Sequence, residues 1–134
     1  MPSKKRSLLA ASGAGGASLY VEDVFSTDLW DGDSSAIDIN NGIDLAGEGG
    51  LVWGKKRASG ISGNWLVDST DLGNELVSNT TAAYNTLNPS MSFDSDGWSI
   101  TSGAGTKNAT GNTYVGWSFR KAEKFFDVVT YTGT

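Results

Sequence analysis

Cysteine and histidine are both missing from the 134 residues. The first absence excludes disulfides, a thiolate nucleophile and any cysteine-ligated metal. The second removes the commonest general base, the usual transition-metal ligand and any Ser-His-Asp triad. Proline is scarce, with 2 residues, and no apolar run approaches the roughly 20 residues of a membrane-spanning helix. Positive charge is in the minority: 10 Lys and Arg stand against 15 Asp and Glu, a net charge of −5. The globular part therefore has no general attraction for nucleic acid or an anionic membrane, and nothing in it suits membrane insertion. What is present is glycine, with 18 residues, and five Trp. Gly, Ser, Thr and Asn serve turns and weaken helix interiors, so this composition predicts an all-β chain rich in turns.

A chain of this length makes one domain and buries about two-thirds of its unfolded surface. Residues 1–19 read as a basic, Gly/Ala/Ser-rich arm. Lys4, Lys5 and Arg6 precede the first acid, Glu22, and "SGAGGAS" makes a hinge-like linker. The apolar run Leu8 to Ala11 is short of the about 7–15 residues of a secretion signal, so the arm is read as a partner-anchoring segment through Lys4, Lys5 and Arg6. Residues 20–124 form the β module, with short runs at 19–25, 36–40, 50–57, 64–69, 91–100 and 112–119. Residues 125–134 are its last strand or the start of a following repeat. Connections rich in Gly, Asn, Ser and Asp separate the runs, and only "TTAAYNTL" (80–87) suits a helical turn. The expected architecture is an antiparallel β-sandwich or jelly roll with Val52, Trp53, Val115, Trp117 and Phe119 in the core, although alternation turns one of Val52 and Trp53 outward.

The chain end matches its own beginning. Asp23, Val24 and Trp30-Asp31-Gly32 align with Asp127, Val128 and Tyr131-Thr132-Gly133. Two readings stand: any strand entering a glycine turn looks this way, or residues 20–124 are one repeat and a second begins after them. The runs "NNGIDLAGEGGLVWGKKR", "SFDSDGWSI" and "GNTYVGWSFRKAEKFFDVVTYTGT" together resemble structural proteins of marine tailed phages, including cyanophages, which carry laminin G-like, concanavalin-type β-sandwich modules. The resemblance covers most of residues 20–134, and one departure is Gly54, where relatives carry a bulkier apolar residue. It implies a virion protein made in the host cytoplasm, with more protein following. It also implies other virion proteins as partners, such as tail or adaptor proteins, and a homo-oligomer, a trimer being the expectation.

The functional expectation is a non-enzymatic virion structural protein, the N-terminal tail-attachment region of a tail fibre or adhesin. One alternative is a lectin-like module contacting host surface glycans through Trp30 and Trp98, which flank turns. Another is a capsid decoration or head-fibre protein. Two carboxylates suffice for a glycosidase, but most acids here lie beside Gly or Ser in turns, where Asp serves the backbone. No cofactor is expected. Calcium is the one candidate metal, with Asp31, Asp33 and Asp38 or Asp94 and Asp96 as oxygen ligands, though neither set has EF-hand spacing. "DSDGW" also reads as a hairpin turn with Gly97 at positive φ.

Overall fold

A computed structural model describes residues 18–58, 63–83, 85–86, 91–101 and 105–134. Among the described residues the β-prone runs become nine strands: β1 (Phe25–Asp31), β2 (Ile37–Asn40), β3 (Gly50–Lys56), β4 (Asn64–Asp68), β5 (Asn74–Glu75), β6 (Asn85–Thr86), β7 (Met91–Asp94), β8 (Gly97–Ile100) and β9 (Thr113–Arg120). They build a four-stranded sheet in the order β1-β9-β3-β4, a three-stranded sheet β2-β8-β7 and a short pair β5-β6. Every pairing is antiparallel. The chain is an all-β sandwich, as its composition predicts.

The core between the sheets is aromatic. Trp30 stacks on Tyr114 at 5.3 Å and meets Trp98 edge-on at 5.4 Å, and Trp65 meets Trp98 edge-on at 6.0 Å. Such pairs add about 0.5–1.5 kcal/mol each beyond their buried area. Two glycines make room for them. Gly54 and Gly116 face each other across β3 and β9. A Cβ at Gly54 would fall inside the Trp65 ring, and one at Gly116 would press on Trp98 and Trp30. A glycine within a strand here marks a close approach of rings to backbone.

Part of the buried polar set is paired across the layers, while Trp30 Nε1 and Trp65 Nε1 find no hydrogen-bond partner among the described residues. Trp98 Nε1 donates to Ser118 Oγ at 3.1 Å, and Asn41 Nδ2 donates to the same oxygen at 3.0 Å and to Asp28 Oδ2 at 2.8 Å. This ties the loop after β2 to the four-stranded sheet. Lys107 is buried, pairs with Glu75 at 2.8 Å and lies 5.9 Å over the Trp65 ring. The β7–β8 hairpin turns at Ser95-Asp96, and Gly97 has φ 154°; a Cβ there would collide with the Ile39 carbonyl.

Three expectations are corrected, and one open reading is decided. Residues Val21–Asp23 form a 3-10 turn, not a strand, because Asp23 closes back on Tyr20: the Asp23 N–H donates to the Tyr20 carbonyl and the Tyr20 N–H to Asp23 Oδ2, both at 3.0 Å. The strand instead runs through Phe25–Asp31, taking in Trp30. Residues 124–132 form no strand among the described residues; the chain turns tightly from Ala122 to Phe126, with Lys124 at φ 63°. A one-turn helix, α1 (Leu45–Glu48), appears where none was expected, capped by Asp44, whose Oδ1 accepts from the Gly47 N–H at 2.7 Å. Within 80–87 the described residues 80–83 are not helical, and Asn85–Thr86 is strand.

Candidate functional site: the outer face of the four-stranded sheet

Side chains alternate along each strand, so the parity of Gly54 and Gly116 decides which residues face outward. Val52, Tyr114 and Ser118 share the inner face and are fully buried. Leu51, Trp53 and Lys55 on β3, and Val115, Trp117 and Phe119 on β9, point the other way. The pairing sets them in rows. Phe25, Phe119, Leu51 and the buried Asp68 make one. Thr27, Trp117, Trp53 and Leu66 make the next, and Leu29, Val115, Lys55 and Asn64 the third. Two hydrogen bonds between Leu66 and Leu76, at 2.8 and 3.0 Å, carry the middle row one strand further.

The result is a flat apolar face with polar borders. Trp53 and Trp117 sit directly opposite each other, ring centroids 5.1 Å apart and planes tilted by 52°. Phe25 and Phe119 pair at 5.1 Å, and Phe126, from the turn after β9, covers Phe119 at 5.3 Å. One end of the face is thus partly covered and the rest is open: Leu29 is 62% exposed, Trp53 37% and Leu76 36%. Lys55 and Thr27 are exposed beside the aromatic pair, and Asn64 is half-buried.

Of Val52 and Trp53 it is Trp53 that turns outward, and the placement of Trp117 in the core is corrected; Trp117 and Phe119 are only half-buried. Val52 and Val115 are buried, but Val115 lies on the outer side between Leu29 and Lys55. The expectation for Trp30 and Trp98 is reversed. They are 7% and 1% exposed and fill the inter-sheet core, so they present no ring face to a glycan. The structure brings together Trp53 and Trp117 in their place. Lys4, Lys5 and Arg6 lie outside the described residues.

The acids do not converge. Asp31 ends β1 and Asp38 lies exposed on β2. Asp33 Oδ1 accepts from the Ser35 N–H at 2.9 Å and from Asn108 Nδ2 at 3.1 Å. Hydrogen bonds from the Ser35 side chain, then from its backbone, then from Asn108 hold the Asp33 carboxyl below its ordinary value. Asp94 and Asp96 belong to the β7–β8 hairpin, where the Asp96 carbonyl accepts from the Asn41 and Gly42 N–H groups at 2.9 Å each. Among the described residues no three His, Cys, Asp or Glu side chains group as metal ligands. An open hollow of about 700 Å³ lies at the turn after β9, beside Glu48 and Lys121 to Asp127. Its charges pair with one another, Lys121 with Asp127 at 3.0 Å and Lys124 with Glu123 at 3.9 Å. Among the described residues no helix is long and apolar enough to cross a membrane.

A family model described as a domain of unknown function, DUF7483, matches residues 21–134. No curated protein and no solved structure matches the chain.

Proposed function

This chain belongs to the DUF7483 family, and we propose that it is a non-enzymatic contact module whose working surface is the outer face of the four-stranded sheet. The observation that carries the reading is the Trp53–Trp117 pair held outward on paired strands, with Leu29, Leu66 and Leu76 around it. Exposed apolar patches on monomers are small unless they serve contact, and tryptophan is over-represented where contacts are strong. The sheet fixes both rings before any partner arrives, which lowers the ordering cost of association.

The resemblance of the sequence to marine tailed-phage structural proteins supports a place in a virion, as the tail-attachment region of a tail fibre built on a laminin G-like or jelly-roll module. Other virion proteins are then its partners, and the N-terminal arm a second anchor. A second reading, a lectin-like module, draws on the same rings: paired tryptophans flanked by Lys55, Thr27 and Asn64 offer a stacking surface beside hydrogen-bonding groups for a sugar. The test is the Trp53→Ala/Trp117→Ala variant of the full chain, scored for incorporation into particles and for binding to an oligosaccharide array. Loss of incorporation supports assembly, and loss of array binding alone supports the glycan reading. Retention of whatever the wild type does overturns the proposed surface. Release of reducing sugar by the purified chain would overturn the non-enzymatic assignment.

A further inference from the structure

Two parts of the chain are shaped for strand pairing and lack it. The first is the outer edge of β1, whose only ladder partner among the described residues is β9. It is seven residues long and carries neither proline nor lysine, the usual means of blunting an edge. The second is the segment Val128 to Thr132. Its Val, Thr and Tyr residues are strand formers, yet it joins no ladder among the described residues, and Val129 and Tyr131 are 76% and 90% exposed.

We propose that Val128–Thr132 of one copy adds as an antiparallel strand to the β1 edge of a second copy. One register satisfies both faces. Leu29 faces Val129 and Thr27 faces Tyr131 on the outer side, extending the apolar rows by one strand. On the inner side Ser26 faces Thr132, Asp28 faces Thr130 and Trp30 faces Val128, matching polar with polar and apolar with apolar. A slip by one residue would turn Val129 and Tyr131 toward Ser26 and Asp28, so the pattern selects this register.

The segment's own edge is out of reach in that register. Its root is pinned where β9 ends: Phe126 lies on Phe119, Phe119 pairs with Phe25, and Lys121 holds Asp127 at 3.0 Å. Pairing with the same copy would require Val128 beside Trp30, five residues or about 17 Å along β1 from Phe25, whereas two residues beyond Phe126 span about 7 Å. The contact is therefore between copies. It joins two different surfaces, so it builds a ring where the rotation between copies closes and an open array where it does not.

The chain's lack of cysteine makes cross-linking the direct test. Leu29→Cys and Val129→Cys single variants are mixed in a thiol–disulfide buffer. Directly opposed side chains bring their Cβ atoms to about 4.5–5.5 Å, close to disulfide distance. The expected product is a Leu29→Cys–Val129→Cys heterodimer, with little link when Asp28→Cys replaces Leu29→Cys. Preferential linking to Asp28→Cys overturns the register, and no link to either overturns the pairing. A double variant that closes on itself instead of linking to a neighbour overturns the assignment to a second copy. Sedimentation of the unmodified chain should show a concentration-dependent multiple of the monomer. Because the Arg120 and Gly32 N–H groups bond the Val24 and Asn112 carbonyls, the even residues of β1 face β9 and the odd ones face the free edge, so Val129 and Tyr131 supply the ladder donors. Val129→Pro, which deletes one of those donors from a segment that joins no ladder among the described residues, should weaken that association at least about tenfold with the unfolding midpoint unchanged. A wild type that stays monomeric at every concentration, or association untouched by Val129→Pro, refutes the proposal.

Discussion

Gly54→Ala reverses the ordinary sign of a glycine substitution if the core is built as described. At an unconstrained strand position, Gly→Ala stabilises by about 0.4–1 kcal/mol because the unfolded chain loses freedom. At Gly54 the new methyl would enter the six-membered ring of Trp65, which is 2% exposed and held edge-on against Trp98. A fused ring cannot swing aside as a flexible chain end does, so the strand or the ring must shift. Overpacking of this kind costs about 1–3 kcal/mol, which exceeds the entropic gain. The thermal unfolding midpoint followed by far-ultraviolet circular dichroism should fall by roughly 3–15 °C, at about 3–5 °C per kcal/mol for a domain between the usual size classes. In a Trp65→Leu background the same substitution should be neutral or stabilising, a coupling of at least about 1 kcal/mol. A Gly54→Ala chain as stable as wild type or more so would refute the placement of Trp65 over the strand.

The remaining expectations use the same unfolding assay or a titration. Trp98→Ala should cost about 3–5 kcal/mol, whereas Trp117→Ala, on the half-exposed outer face, should cost well under half as much; equal losses would contradict the assignment of faces. Lys107→Met strands the Glu75 carboxylate at a site where the two side chains are 6% and 17% exposed, and should cost about 3 kcal/mol, with Glu75→Gln in the same chain recovering part of it. A loss within 0.5 kcal/mol would mean that water already solvates the pair. The Asp127 carboxyl is held below its ordinary value of 3.8, chiefly by the Lys121 hydrogen bond. A lowered folded-state pKa means a contribution present above the unfolded value and lost as pH falls through the lower folded one. A carboxyl-detected NMR titration should therefore place its midpoint below that of Lys121→Met, and identical midpoints would remove the ion pair from the account.

The strand positions were largely legible and their facing was not. Residues 36–40, 50–57, 64–69, 91–100 and 112–119 became β2, β3, β4, the β7–β8 hairpin and β9 because β-prone runs between glycine and asparagine turns admit few alternatives. The sequence leaves the facing of β3 open and misplaces that of β9, because both sides of that sheet carry apolar residues and alternation does not separate inside from outside. Size then suggested that Trp53 and Trp117 were core. The signal that would have corrected this lies one residue away on each strand: Gly54 and Gly116, glycines within β-prone runs, mark the side where bulky rings approach. Those rings, Trp30, Trp65 and Trp98, come from three other strands, and no local pattern announces such a contact. In the sequence Trp30 reads as flanking a turn because Asp and Gly follow it, although β1 runs on to Asp31. The run after residue 124 reads as a strand from its alternation, but alternation does not supply a neighbour to pair with.

The outer face as the contacting surface is tested most directly by separating contact from folding at its centre. In the Trp53→Ala/Trp117→Ala chain, particle incorporation and oligosaccharide binding are measured beside the unfolding midpoint. The account predicts that whichever contact the wild type makes is lost while the fold persists, because Val52, Tyr114 and Ser118 on the opposite side of the same strands keep the core closed. A folded double variant that incorporates and binds as the wild type does would contradict it.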